Sequence, residues 1–206
     1  MKPIRVLVLF YSFTGATAKL ADCVARGAAK LPHVQVVIKR VPELVPQSVF
    51  EKKPKLLKAK AALEKKYPEA SVQDLLTCDA VAFGTPVHFG SFASQIKQFI
   101  DQLSPVWLEG RLVDKPAAVF CSAASLHGGE EATLLSLMIP LLNLGMLPVG
   151  LPYALSGKSA TFDAASPYGA IFVSGKDGKQ SLNGDHRKAA ELLGLRLATL
   201  AKKLQH

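Results

Sequence analysis

Short apolar runs and longer stretches of helical periodicity alternate along the chain. Ile4 to Phe10 (IRVLVLF) is apolar and rich in β-branched residues without polar alternation, as in a parallel strand buried on both faces. The run breaks at Ser12-Phe13-Thr14-Gly15-Ala16-Thr17. Leu20, Val24, Ala28 and Leu31 then recur at helical spacing until Pro32 stops them. Val34 to Val41 predicts a second strand, and an excursion with four prolines follows from Pro42 to Pro68, holding a helix from about Lys55 to Lys66. Ala80 to Gly84 predicts a third buried strand, followed by a loop from Thr85 to Gly90. The next helix carries Phe92, Ile96, Phe99, Ile100 and Leu103 on one face. Pro116 to Cys121 predicts a fourth strand, with a Ser/Gly/His loop and a helix near Glu130 to Leu142 after it. Met146 to Tyr153 predicts a fifth strand, and a second excursion runs from Ser156 to Gly184. The last helix, about Asp185 to Leu204, is expected to bury Leu193, Leu197, Leu200 and Leu204.

Five alternations of strand and helix imply an α/β fold, a parallel sheet with helices on both faces. The 206 residues fit one domain better than two. In such sheets ligands sit outside the carboxyl ends of the strands, where the strand order reverses. The loops after strands one, three and four are therefore where chemistry is expected.

Composition narrows the classes. Cys23, Cys78 and Cys121 have neither C-x-x-C nor metal-ligand spacing, which suggests reduced thiols in a cytoplasmic protein. The formal charge is +9, and Glu51 to Lys66 alone holds seven lysines against two glutamates. A solvated helix face is the favoured reading of that run over a dedicated polyanion site, which argues against nucleic acid as a partner. Ala132 to Leu155 is uncharged and long enough to span a bilayer, yet Pro140, Asn143, Gly145, Pro148, Gly150 and Pro152 interrupt it. It reads as a buried helix, a turn and a strand, with no membrane span.

The first loop places Ser12, Thr14 and Thr17 around Gly15 and Ala16 where a helix begins. Free amides, hydroxyl donors and the positive end of the helix dipole suit a phosphate there. The loop has no G-K-[ST] and no G-x-G-x-x-G, so it suits a monophosphate ester held by hydrogen bonds. An ordinary capped helix would use the same residues. The second loop, with Pro86, Val87, His88 and Phe89, could read the edge of a flat heterocycle, or could hold a surface histidine and a core plug. The third, with Ser122, Ala123, Ala124, Ser125, Leu126, His127 and Gly128, permits close approach of a ring or sugar, or is a flexible connection.

Ser12-x-Thr14-Gly15-x-Thr17 after strand one resembles the flavodoxin phosphate fingerprint. Several further stretches narrow the resemblance to the WrbA-type NAD(P)H:quinone oxidoreductases. These are Lys39-Arg40-Val41-Pro42-Glu43, Phe83-Gly84-Thr85-Pro86, the region around Trp107, Ser125 to Glu130 and Pro167-Tyr168-Gly169-Ala170. The resemblance implies a flavodoxin-like five-stranded sheet in the order 2-1-3-4-5 and a non-covalent FMN. Its phosphate would lie on Ser12, Thr14, Gly15, Ala16 and Thr17. Pro86 to Phe89 and Ser122 to Gly128 would hold the ring and ribityl chain. NAD(P)H would be the donor, a quinone the two-electron acceptor, and the kinetics ping-pong. A homo-oligomer, expected as a tetramer, is also implied. Trp107 matches a tryptophan that lines the substrate side in relatives, often from a neighbouring subunit; a core or interface tryptophan is the competing reading. His88 is a candidate hydrogen-bond donor to the quinone oxygen. Thr14, Val87-His88 and Asn143-Leu144 depart from residues common in relatives. The rival readings are a flavodoxin-type electron carrier and an interaction protein that uses residues 51–66.

Overall fold

The apolar run Ile4–Phe10 forms β1, and its period-2 alternation serves two cores at once. Ile4, Val6, Val8 and Phe10 pack on one side, with Leu20 and Val24 of α1 (Ala16–Ala28) and Leu193 and Leu197 of a long terminal helix. Leu7 and Leu9 pack on the other, with Phe83, Ile96, Phe99, Leu137 and Leu141. Apart from Arg5 near its start, the strand carries no polar residue, because both of its faces are covered. The computed structural model describes residues 2–156 and 164–205.

After α1 come β2 (Val34–Arg40), α2 (Gln47–Glu51), α3 (Pro54–Lys66) and α4 (Val72–Thr77). The chain continues through β3 (Ala80–His88), β4 (Ser91–Phe92), α5 (Ser94–Asp101), α6 (Ser104–Leu108), β5 (Pro116–Ala123) and α7 (Glu130–Asn143). It ends in β6 (Leu147–Val149), α8 (Tyr153–Ser156), β7 (Ala165–Ser166), β8 (Gly169–Val173) and α9 (Gly184–Leu204). The main path of the sheet is β2-β1-β3-β5-β8-β7, parallel except at the β7–β8 edge. The fold is flavodoxin-like α/β. Among the described residues no helix is long and apolar enough to cross a membrane, and residues 132–155 resolve into α7, a turn, β6 and the start of α8.

The predicted fifth strand is corrected. Of residues 146–153, only Leu147–Val149 pair, beside Pro116–Ala118 at the start of β5. Gly169–Val173 takes the same position along Val119–Ala123, the second half of β5. One place in the order 2-1-3-4-5 is thus filled by two short strands. Pro148 and Pro152 lack the N–H a ladder needs, and the Leu151 amide donates to the Pro167 carbonyl at 2.9 Å. The chain leaves the sheet there and returns as a fully buried strand inside what the sequence predicted as the excursion 156–184; residues 157–163 of that excursion lie outside the described ones. In α9, Leu193 and Leu197 are buried, whereas Leu204, in the overhanging last turn, is half exposed.

Candidate functional site

β1, β3 and β5 are neighbours in the sheet and point their carboxyl ends the same way. The register aligns Phe10 with Gly84 and Pro86 with Ser122, so the three predicted loops leave from one rim. The chain runs to β2 on one side of β1 and to β3 on the other, making this the switch point at which open α/β sheets form a crevice.

In the first loop Gly15 is the N-cap of α1, at φ 100°, with no side chain taking the cap and no acidic residue in the first turn. The Gly15 amide donates to Ser12 Oγ at 3.1 Å, curling the loop over the helix start. Ser12 and Thr17 are buried, whereas Thr14 is exposed at the outer bend. The first and third loops touch directly: Thr17 Oγ1 and Ser122 Oγ share a hydrogen bond of 2.8 Å. Burying two hydroxyls beside an open helix terminus leaves neutral donors around the positive end of the dipole. That donor set fits a phosphate monoester.

The second loop is corrected from irregular chain to a β-hairpin. β3 runs through Pro86, Val87 and His88, and pairs back on β4, with Val87 opposite Phe92 and His88 opposite Ser91. Phe89 and Gly90 form the tip with φ of 53° and 74°, the two positive φ values of a type I′ turn. Phe89 is fully exposed and is no core plug. The hairpin is pinned at its base by buried Thr85, whose Oγ1 accepts from the Ala93 amide at 2.9 Å and donates to the Pro86 carbonyl at 2.9 Å. His88 is exposed at the strand end, and partial desolvation of its ring holds its pKa below the ordinary imidazole value.

The third loop begins with Ser122 and Ala123, buried at the end of β5, and continues with Ala124, Ser125, Leu126, His127 and Gly128, all exposed. His127 sits at φ 56° and Gly129 at φ 102°. A Cβ on Gly129 would lie 2.8 Å from the Gly90 Cα, so the second and third loops meet backbone to backbone. Directly after them Glu130 is buried in the first turn of α7, and its Oε2 has no hydrogen-bond partner among the described residues.

Trp107 stands apart from these loops. On α6, half exposed, it lines an open groove of about 550 Å³ with Phe92, Ile100, Ile139, Asn143 and Leu144. The groove joins the hairpin through Phe92 alone among its three-loop neighbours. Cys121 is fully buried, and burial pushes its thiol pKa far up, consistent with a packing role.

Several supporting residues escaped sequence reasoning. Tyr11 donates to Glu43 at 3.0 Å, Gln95 donates to the same carboxylate at 3.0 Å, and the Leu44 and Val45 amides donate at 2.9 Å each. The network fastens the chain after β2 to the end of β1 and to α5. Desolvation beside the Glu43 carboxylate drives the Tyr11 pKa upward, so the phenol stays a donor. Nothing in the spacing of Tyr11, Glu43 and Gln95 announces the contact.

The family model described as NADPH-dependent FMN reductase matches residues 4–161. A protein of Archaeoglobus fulgidus named NAD(P)H dehydrogenase (quinone) is 44% identical over 200 residues, covering 97% of this chain and 98% of the relative. A protein of Geotalea uraniireducens with the same name is 38% identical over 203 residues, covering 98% and 99%. A crystal structure of a WrbA-like flavodoxin from Agrobacterium tumefaciens superposes with a TM-score of 0.67 at 22% identity, covering 97% of this chain and 98% of that one. An archaeal flavodoxin gives 0.61 at 15% identity, covering 98% and 100%. These structures share the fold.

Proposed function

From the premise that this chain belongs to the NADPH-dependent FMN reductase family, we propose that it is an FMN-dependent NAD(P)H:quinone oxidoreductase. Relatives named NAD(P)H dehydrogenase (quinone) at 37–44% identity over nearly the full chain support the reading. The observation that carries it is the convergence of three loops on one rim, sealed by the Thr17–Ser122 and Gly90–Gly129 contacts. Ser12, Thr14, Gly15, Ala16 and Thr17 hold the phosphate with hydroxyls and amides. Pro86, Val87, His88 and Phe89 border the ring on one side, and Ser122 to Gly128 border it and the ribityl chain on the other. Bound FMN supplies the hydride-accepting and hydride-donating chemistry. The protein binds, orients and shields, and His88 donates a hydrogen bond to the quinone oxygen as charge builds on it. A single rim admits donor and acceptor in turn.

Thr17→Ala removes one hydroxyl from the phosphate loop and leaves Ser122 Oγ without its 2.8 Å partner. FMN affinity should fall by about 1–2 kcal/mol, one hydrogen bond to a charged group, read by fluorescence titration of the apoprotein. Recovery of FAD from the denatured protein, or an unchanged affinity, would contradict the phosphate assignment.

The protein works in the cytoplasm as a homotetramer. Its three cysteines are free and buried, and half-exposed Trp107 and exposed Ile139 line the same groove, an apolar surface of the kind interfaces cover. Light scattering of the FMN-loaded protein should give a mass four times the 22.0 kDa chain; a monomer would refute the assembly. In the tetramer Trp107 faces a neighbouring subunit's rim, so Trp107→Ala should lower quinone turnover while FMN stays bound on the three loops.

A further inference from the structure

The lysine-rich helix α3 is attached to the molecule unlike any other long helix. None of its thirteen residues is buried. Leu56, Leu57, Ala59, Lys60 and Leu63 are half-buried on its inner side, whereas Lys55, Lys58, Ala61, Ala62, Lys65 and Lys66 are exposed. Lys60 pairs with Glu64 at 2.8 Å, and Lys66 with Asp22 at 2.7 Å. Lys52, Lys53, Lys55, Lys58 and Lys65 have no ion pair among the described residues. A helix selected only for a solvated face places glutamates at i,i+4 from its lysines; unrelieved like charges there destabilise it. Here Lys55, Lys58 and Lys65 repeat at helical spacing on the outer face, and Glu64 is spent on the inner side, near Arg40 as well as Lys60.

The helix lies beside the rim that carries the candidate site. Phe50, just before it, packs on Phe13 of the first loop with ring centroids 5.6 Å apart. Lys60 and Leu63 line a small cavity with Phe10, Ser12 and Phe13. The same carboxyl-end rim exposes apolar Leu44 after β2. Unpaired lysines on one outward helix face match the headgroup charge of an anionic bilayer surface.

We infer that the outer face of α3 docks this protein on anionic lipid surfaces. This rests on the quinone-reductase reading, since many quinones partition into bilayers and docking would bring the site to them. Nucleic acid fits less well: residues 51–66 contain no arginine and no exposed aromatic for stacking. Lysine, a strongly hydrated point charge, suits diffuse attraction to headgroups.

The test is co-sedimentation of the FMN-loaded full chain with phosphatidylcholine vesicles, with and without phosphatidylserine, in low and high salt. Binding is expected only with phosphatidylserine and should vanish as salt shortens the Debye length. The triple variant Lys55→Gln, Lys58→Gln, Lys65→Gln should lower vesicle partitioning by about a hundredfold, about fivefold per lysine, with FMN content and turnover of a water-soluble quinone unchanged. Absence of binding to phosphatidylserine vesicles, or binding that the triple variant retains, would overturn the inference. So would tighter binding to duplex DNA than to the vesicles in the same buffer. Vesicle binding is read without turnover, so a protein that docks yet reduces no quinone would refute the activity and leave the docking face standing.

Discussion

Gly129→Val should strip the protein of most of its FMN affinity while leaving the sheet folded. Gly129 holds φ 102°, and a Cβ there would sit 2.8 Å from the backbone of Gly90. A left-handed conformation costs an L-residue about 1–2 kcal/mol, and a β-branched one more. The backbone contact adds a clash that no rotamer relieves. The third loop must then move off the hairpin, and binding FMN has to restore the closed arrangement. A cost of about 2–3 kcal/mol corresponds to a Kd raised about 30- to 150-fold. Far-ultraviolet circular dichroism should hardly change, because both glycines lie outside the main sheet and its helices. Titration of apoprotein with FMN measures the effect; wild-type affinity in the variant would mean that the second and third loops do not enclose the flavin together.

Initial rates at varied NAD(P)H and quinone should give parallel double-reciprocal lines. The donor must leave the rim before the acceptor enters, since the described residues offer one loop cluster at the switch point and no second nucleotide fingerprint. Intersecting lines would require a ternary complex and refute a shared cleft. His88→Ala should lower kcat about tenfold, the loss of one hydrogen bond to a charge-bearing oxygen, with a smaller change in KM. Its pKa lies below 6.5, the ordinary imidazole value, because burial disfavours the cation. At neutral pH the ring is therefore neutral. As pH falls through that lowered pKa the ring gains a proton and becomes a stronger donor. The His88-dependent part of kcat should rise as pH falls through that lowered pKa and be missing in His88→Ala. A wild-type profile identical to that of the variant would remove His88 from the reaction.

Strands buried on both faces were the most legible part of the sequence. Apart from Arg5, β1 and the stretches Ala80 to Phe83 of β3 and Pro116 to Cys121 of β5 are apolar because helices cover both faces of the sheet there. The phosphate loop was legible for a related reason: hydroxyls around a glycine at a strand-to-helix break are a local signal with a local cause. The split fifth strand was not. Gly169–Val173 is five residues long and follows a Gly/Ser/Asp-rich stretch, so its place in the sheet depends on pairing with Val119–Ala123 rather than on its own pattern. The hairpin was misread as loop because Pro86 and Gly90 look like breakers, whereas Thr85 pins the turn through contacts eight residues away. The Tyr11–Glu43–Gln95 network spans 52 residues between Glu43 and Gln95, and no periodicity encodes such a meeting.

Anaerobic titration of the FMN-loaded protein tests the central claim most directly. Stoichiometric NADH or NADPH should bleach the flavin absorbance in a two-electron step, and one equivalent of quinone should restore it completely. A flavin that neither nicotinamide reduces, or one that a quinone leaves bleached, would contradict the assignment as an NAD(P)H:quinone oxidoreductase.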